Sequence, residues 1–182
     1  MYDWVRGRPS LLVRMHDLEV WPGGPDVPGG VELKPEPRSF ACVSDFEGSS
    51  VLAIFTDALT TAVPLELGGL LLVSATYCDD DGSVADHLDL VPIGGWTTLP
   101  TRFVAIGEDY VLFDGCLKGL DVTDPAKEQQ VLESSGGAIP VHMPAGSYEV
   151  ETFGPWRPDD RTELYLTRLV REHPSGMTPL DR

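Results

Sequence analysis

The sequence predicts a mainly β (α+β) fold: an antiparallel β-sandwich or strongly curved sheet carrying one or two short helices. Three observations point there. The apolar runs are strand-length, the longest reaching only from Leu70 to Ala75. Clusters of Gly, Pro and Asp separate them at short intervals, as turns separate strands. Almost no stretch repeats apolar residues at the 3.6-residue helical period. At 182 residues and 42% hydrophobic, the chain can build one core without disulfide or metal staples. The expectation is therefore a single domain over 1–182. Within it, 1–38 form an N-terminal arm or first strand layer, 39–171 the core β domain and 172–182 a tail.

The elements follow in order. Leu11–Val13 is a small apolar run, read as a strand. Pro22-Gly23-Gly24-Pro25 and Pro28-Gly29-Gly30 then forbid regular helix, because proline lacks the amide donor and glycine costs backbone entropy. Ala41–Val43 is a short strand, and Val51–Phe55 is apolar throughout, as a strand covered on both faces should be. Leu70–Tyr77 follows Gly68-Gly69 and stops at Asp79-Asp80-Asp81-Gly82. Ser83 is placed to cap a short helix through Val84–Leu90, with Asp86 favourable in its first turn. Phe103–Ile106, Gly107-Glu108-Asp109 and Tyr110–Phe113 read as a tight hairpin. Ala126–Leu132, just after Asp124-Pro125, reads as a second short helix. A further hairpin is expected where Ile139, Val141 and Met143 alternate with polar or small neighbours and Pro144-Ala145-Gly146 turns the chain towards Tyr148, Val150 and Thr152. The last strand runs from Thr162 to about Arg171, after Pro158-Asp159-Asp160.

Charge is the most informative bulk property. Lys plus Arg total 13 against 29 Asp plus Glu, a net charge of −16. Such a chain repels nucleic acid and anionic membrane, because binding a polyanion depends on neutralising phosphates. It attracts cationic partners and speeds their encounter. Between Arg38 and Arg102 there are nine acids and no Lys or Arg, whereas Arg157, Arg161, Arg168 and Arg171 gather near the end. A one-sided potential is expected, although solubility alone is a sufficient reason for an acidic surface. No apolar run approaches a membrane span, and Leu11–Val13 is too short for a signal-peptide core. Cys42, Cys78 and Cys116 are odd in number and widely spaced, which suits buried thiols in a reducing, cytoplasmic compartment.

Motifs that carry chemistry are missing. His16, His87, His142 and His173 lie far apart, with no CxxC, HxxxH or HExxH, so no metal or cofactor is expected. Asp79-Asp80-Asp81-Gly82-Ser83 has the acids and glycine of a calcium loop but no acid at the bidentate position. Ser134-Ser135-Gly136-Gly137 lacks the leading glycine of a nucleophile elbow, and the Gly-Gly pairs lack the context of a phosphate loop. A carboxylate pair of the glycosidase kind stays open, but 29 acids make such pairs uninformative. Of Trp4, Trp21, Trp96 and Trp156, most are expected in the core. Trp156, within Gly154-Pro155-Trp156-Arg157, is the one expected on a loop and available to a partner.

Several stretches in order resemble the immunity protein 21 family of bacterial polymorphic-toxin systems. They are Ala41-Cys42 before an apolar strand, Gly68-Gly69-Leu70-Leu71 leading to Tyr77 and an acidic turn, and Trp96 before a strand pair. Tyr110-Val111-Leu112-Phe113-Asp114, Met143-Pro144-Ala145-Gly146-Ser147-Tyr148-Glu149-Val150 and Thr162-Glu163-Leu164-Tyr165-Leu166 follow, ending in Arg168-Leu169-Val170. The likeness covers roughly residues 39 to 171; Trp21-Pro22-Gly23-Gly24-Pro25 matches the family's N-terminal Gly-Gly-Pro, with a different connection after it. It rests on order and spacing, since none of these motifs is chemically diagnostic. The resemblance implies a non-enzymatic cytoplasmic antidote that binds and neutralises a cognate toxin domain. With an acidic surface, the candidate contacts are the turn-borne acids Asp79, Asp80, Asp81, Glu108 and Asp109, together with Trp156. The competing role for such acids is to keep strand edges from pairing with other chains. Two other functions stay open: a small-molecule or carbohydrate-binding β domain with aromatic groove walls, and a hydrolase using a carboxylate pair.

Overall fold

A computed structural model describes residues 5–7, 9–23, 30–77, 87–124 and 137–172. Among these residues the chain is mostly strand, arranged in two antiparallel sheets, one of them curled into a half-barrel. The strands are β1 (Val5–Gly7), β2 (Ser10–Arg14), β3 (Ala41–Phe46), β4 (Ser49–Ile54), β5 (Ala58–Pro64), β6 (Leu70–Tyr77), β7 (Thr97–Thr98), β8 (Phe103–Ala105), β9 (Asp109–Asp114), β10 (Ala138–His142), β11 (Gly146–Asp159) and β12 (Thr162–Arg171). A short helix α1 (Gly119–Thr123) and 3₁₀ turns at Met15–Val20 and Glu66–Gly68 complete the regular structure. This is the mainly β fold that the punctuation of the sequence predicts.

The first sheet runs β1-β5-β6-β12-β11-β7, with β8 also pairing with β11, and the second runs β10-β9-β2-β4-β3. Ser10–Arg14, from the stretch read as an arm or first layer, is thus the middle strand of the second sheet. Strand alternation divides each central strand between two cores. Leu12, Leu52, Ile54, Tyr110 and Leu112 face the other sheet, meeting Leu70, Leu72, Phe103, Tyr148, Val150 and Leu169. Their neighbours Leu11, Val13, Val51, Ala53, Val111 and Phe113 face outward beneath Leu18, Trp21 and Leu33, with Leu117 and Val122 alongside. A third core on the outside of the first sheet sets Leu71, Val73, Leu164 and Leu166 against Leu88, Val91 and Trp96. Coverage on both faces explains why the Val51–Phe55 run has no polar alternation.

Both expected hairpins are corrected. β8 and β9 do not pair: β8 lies against β11 in the first sheet, and β9 lies between β10 and β2 in the second. Likewise β10 pairs with β9 while β11 pairs with β12, β7 and β8, so Pro144-Ala145-Gly146 carries the chain from one sheet to the other. The cause is side-chain direction. Phe103 and Tyr110 pack on each other across the inter-sheet core, 5.6 Å apart, and Met143 is buried in that core as well. Tyr148 then anchors the crossing by donating its hydroxyl to the Pro144 carbonyl at 2.5 Å. Among the described residues consecutive strands pair as hairpins at β3–β4, β5–β6 and β11–β12.

Of the two expected helices, Ala126–Leu132 lies outside the described residues, as do 84–86 of the other; His87 and Leu88 are helical. The helix α1 was not anticipated: five residues beginning with glycine give no periodic signal.

Candidate functional site

Partner-available charge depends on which carboxylates lack an internal cation. Arg14 holds the buried Asp17, Arg157 holds Glu163, Arg168 holds Glu151, Arg102 holds Glu172 and Lys34 holds Glu32. Arg168 also lies 4.1 Å over the Trp96 ring. Much of the positive charge is therefore spent within the molecule.

Glu108 and Asp109 fall at the link between β8 and β9, as the turn pattern predicts, and both are exposed. The β9–β10 register sets His142 opposite Asp109. Its imidazole lies 3.4 Å from the Asp109 carboxylate and 3.8 Å from that of Glu108. A backbone hydrogen bond from Met143 N to Glu108 O, 2.9 Å, fixes the link. The sheet brings further acids to the same end. Arg14 pairs with Tyr110, β2 runs antiparallel to β4, and β4 turns back into β3 through Glu47-Gly48. Asp45 and Glu47, both exposed, thus share a sheet end with Glu108 and Asp109. Val104 on β8 and Ile106 in the link beyond it are 45% and 47% exposed, and the Val104 amide donates to Ser50 Oγ on β4 at 2.9 Å. The result is an acidic rim around a small apolar patch. Sequence reasoning named the link acids but not Asp45, Glu47 or His142, whose proximity comes from strand order alone.

Trp156 is not on a loop, which corrects that expectation. It lies inside β11, opposite Leu164, where the register shifts on either side of it. The ring is half-buried in the third core, its centroid 6.5 Å from that of His87. An apolar sheet face and the strap at 87–96 hold it in place of solvent. Asp79, Asp80 and Asp81 lie outside the described residues.

A cleft of about 650 Å³ opens beside the β11–β12 hairpin, lined by Thr76, Arg157, Asp159, Asp160, Thr162 and Glu163. The Arg161 backbone N–H, 2.8 Å away, is the main cause holding Asp159 below the usual carboxylate range. Hydrogen bonding from Arg157 does the same for Glu163. Both shifts run opposite to what a general acid needs. Among the described residues, no group of three or more His, Cys, Asp and Glu is placed to hold a metal ion. Cys42 is buried, and burial pushes its pKa up, away from thiolate reactivity. Cys116 is exposed, and Cys78 lies outside the described residues.

The two depressed carboxylates give a pH prediction. Their folded pKa values lie below the unfolded ones, so their contribution is complete above the unfolded values and disappears as pH falls through the folded ones. Carboxyl NMR titrations should place Asp159 and Glu163 below the free-peptide midpoints of about 3.9 and 4.3. Arg157→Ala should raise the Glu163 midpoint and leave Asp159 nearly unmoved. An unchanged Glu163 midpoint would show that Arg157 is not its determinant.

Among the described residues no helix is long and apolar enough to cross a membrane. No family model matches the chain, and no curated protein or solved structure matches it.

Proposed function

We propose that this protein is an immunity-type inhibitor: a cytoplasmic, non-catalytic antidote that binds and neutralises a cognate toxin domain through its acidic loops. The observation that carries this reading is the rim of Asp45, Glu47, Glu108 and Asp109, none of which is held by a lysine or arginine among the described residues, on a chain of net charge −16. The ordered likeness of residues 39 to 171 to the immunity protein 21 family supports the same reading. Exposed acids without counter-ions raise the encounter rate with a cationic protein and set the orientation of docking. Val104 and Ile106 supply apolar area within the rim, where desolvated contacts slow dissociation. A basic nuclease-like domain is the partner chemistry this surface suits; nucleic acid and anionic membrane are repelled by it.

The test uses the toxin domain of a neighbouring reading frame. Purified together, the two proteins should associate with nanomolar affinity that weakens as salt rises, and expression of the antidote should protect toxin-producing cells. Glu108→Lys with Asp109→Lys should slow association by about tenfold, flatten the salt dependence and leave dissociation largely unchanged. Kinetics identical to those of the parent would remove these loops from the contact. Absence of both association and protection would reject the immunity role itself.

A further inference from the structure

A second depression, of about 240 Å³, lies where residues 38–40 meet β7 and β11. Its lining includes Arg38, Phe40, Thr97, Thr152 and Phe153, and no carboxylate among the described residues. Among the described residues, Arg38 makes no ion pair or hydrogen bond, whereas Arg14, Arg102, Arg157 and Arg168 each hold an acid and Arg171 holds the Ala145 carbonyl. In a chain of net charge −16, Arg38 thus stands without a partner among the described residues, at the mouth of a cleft whose described lining carries no acid. The backbone at Arg38 has φ 66°, a left-handed conformation that arginine rarely adopts. Such a residue persists only where its surroundings impose the geometry.

The other walls are equally defined. Thr152 is 3% exposed, yet its hydroxyl has only long contacts, 3.3 Å to Ser39 Oγ and 3.5 Å to the Thr97 carbonyl. A typical O–H···O bond is nearer 2.7–2.8 Å, so a closer acceptor in the cleft would compete with these two long bonds for the Thr152 hydroxyl. Thr97 sits directly opposite it in the β7–β11 register. Phe40 is braced edge-on by Tyr165, 5.1 Å between centroids, and Phe153 packs against Trp96 with the rings tilted, 5.6 Å apart. Gly95, with φ 84°, lets the backbone approach Phe153 so closely that a Cβ there would lie 3.1 Å from the ring.

We infer that this cleft binds a small planar carboxylate of one aromatic ring, the size of benzoate. The guanidinium takes the carboxylate through paired N–H···O bonds, the hydroxyls of Thr97 and Thr152 meet its remaining lone pairs, and Phe40 and Phe153 contact the ring. The volume lies below the roughly 300–1,000 Å³ of drug-sized sites, so a nucleotide or disaccharide is too large. The inference is independent of toxin binding and goes beyond it, since it uses neither the acidic rim nor a protein partner.

Benzoate, benzamide and cyclohexanecarboxylate are titrated into the isotope-labelled protein and followed by amide NMR. Benzoate should give saturable shifts confined to Gly95, Thr97, Thr152 and Phe153. Benzamide, which lacks the charge, should bind at least about tenfold more weakly, the loss expected for a charge-assisted contact. Cyclohexanecarboxylate, which keeps the charge but not the plane, should also be weaker than benzoate. Arg38→Gln should weaken benzoate by about tenfold or more, and Thr97→Val, on an exposed edge strand, by about threefold. Dispersed spectra would show that both variants stay folded. Shifts that do not saturate, shifts spread over other surfaces, equal binding of benzoate and benzamide, or an Arg38→Gln variant with parent affinity would each overturn the site.

Discussion

Gly119→Ala is expected to destabilise the protein by about 3 kcal/mol or more, the upper range for overpacking. A Cβ at this position would lie 1.6 Å from the Leu18 carbonyl oxygen and 2.5 Å from its carbon. The obstacle is backbone, so no rotamer change relieves it. The same glycine donates its amide to the Trp21 carbonyl at 3.1 Å, which ties α1 to the 3₁₀ turn at Met15–Val20. These two elements cover the outer core of the second sheet, and forcing them apart exposes that core to water. Urea unfolding followed by far-ultraviolet circular dichroism measures the loss. Gly94→Ala is the control: nothing lies within 4 Å of its would-be Cβ, and the change should stay within about 0.5 kcal/mol. Equal midpoints for the two variants would mean that the contact at Leu18 is not rigid.

Trp21→Ala should cost about 3–5 kcal/mol, as deletion of a buried aromatic does. The ring is 2% exposed and meets Phe46 edge-on at 4.9 Å and Phe113 at 6.5 Å. Phe113 lies on β9 opposite Leu11 of the middle strand β2, so Trp21 joins the covering layer to the interior of the sheet. Its indole N–H has no hydrogen-bond partner among the described residues. Phenylalanine at this position should therefore lose volume but no hydrogen bond, and Trp21→Phe should cost less than about 2 kcal/mol. If the two variants were equally destabilised, the indole N–H and not the apolar surface would be the dominant contribution.

The strands most legible in the sequence are those whose neighbours supply continuous apolar cover. Leu70–Tyr77 and Thr162–Arg171 have the bounds that the sequence pattern predicts. β5 gives no strand signal in the sequence, because Ala-Leu-Thr-Thr-Ala-Val-Pro hides its buried side under hydroxyls. Thr60 is fully buried, yet it is satisfied by Ser10 Oγ at 3.0 Å and Ser74 Oγ at 2.9 Å, a row of hydroxyls across three elements. A polar letter in the sequence does not show whether its partner is water or another strand. The two false hairpins have a related origin. Gly107-Glu108 and Pro144-Ala145-Gly146 do mark changes of direction, but turn residues do not say which sheet receives the next strand. The candidate site was legible only in its local part. Glu108 and Asp109 were recognisable as exposed turn acids; that Glu47 and His142 flank them follows from the order β10-β9-β2-β4-β3, which periodicity does not encode. Trp156 is not legible as a strand residue because Gly154-Pro155 reads as a break, whereas β11 continues through it with shifted register.

The repeated passage between the sheets bears on how the molecule comes off the ribosome. β2 needs β9, roughly a hundred residues downstream, and β6 needs β12, nearly as far away. A nascent chain carrying only its first half therefore holds Leu11–Val13 and Leu70–Val73 without the strands that later shield them. The second sheet has all its strands only once His142 has emerged, and the first cannot close until β11 and β12 follow, so consolidation of the inter-sheet core has to await the C-terminal pair.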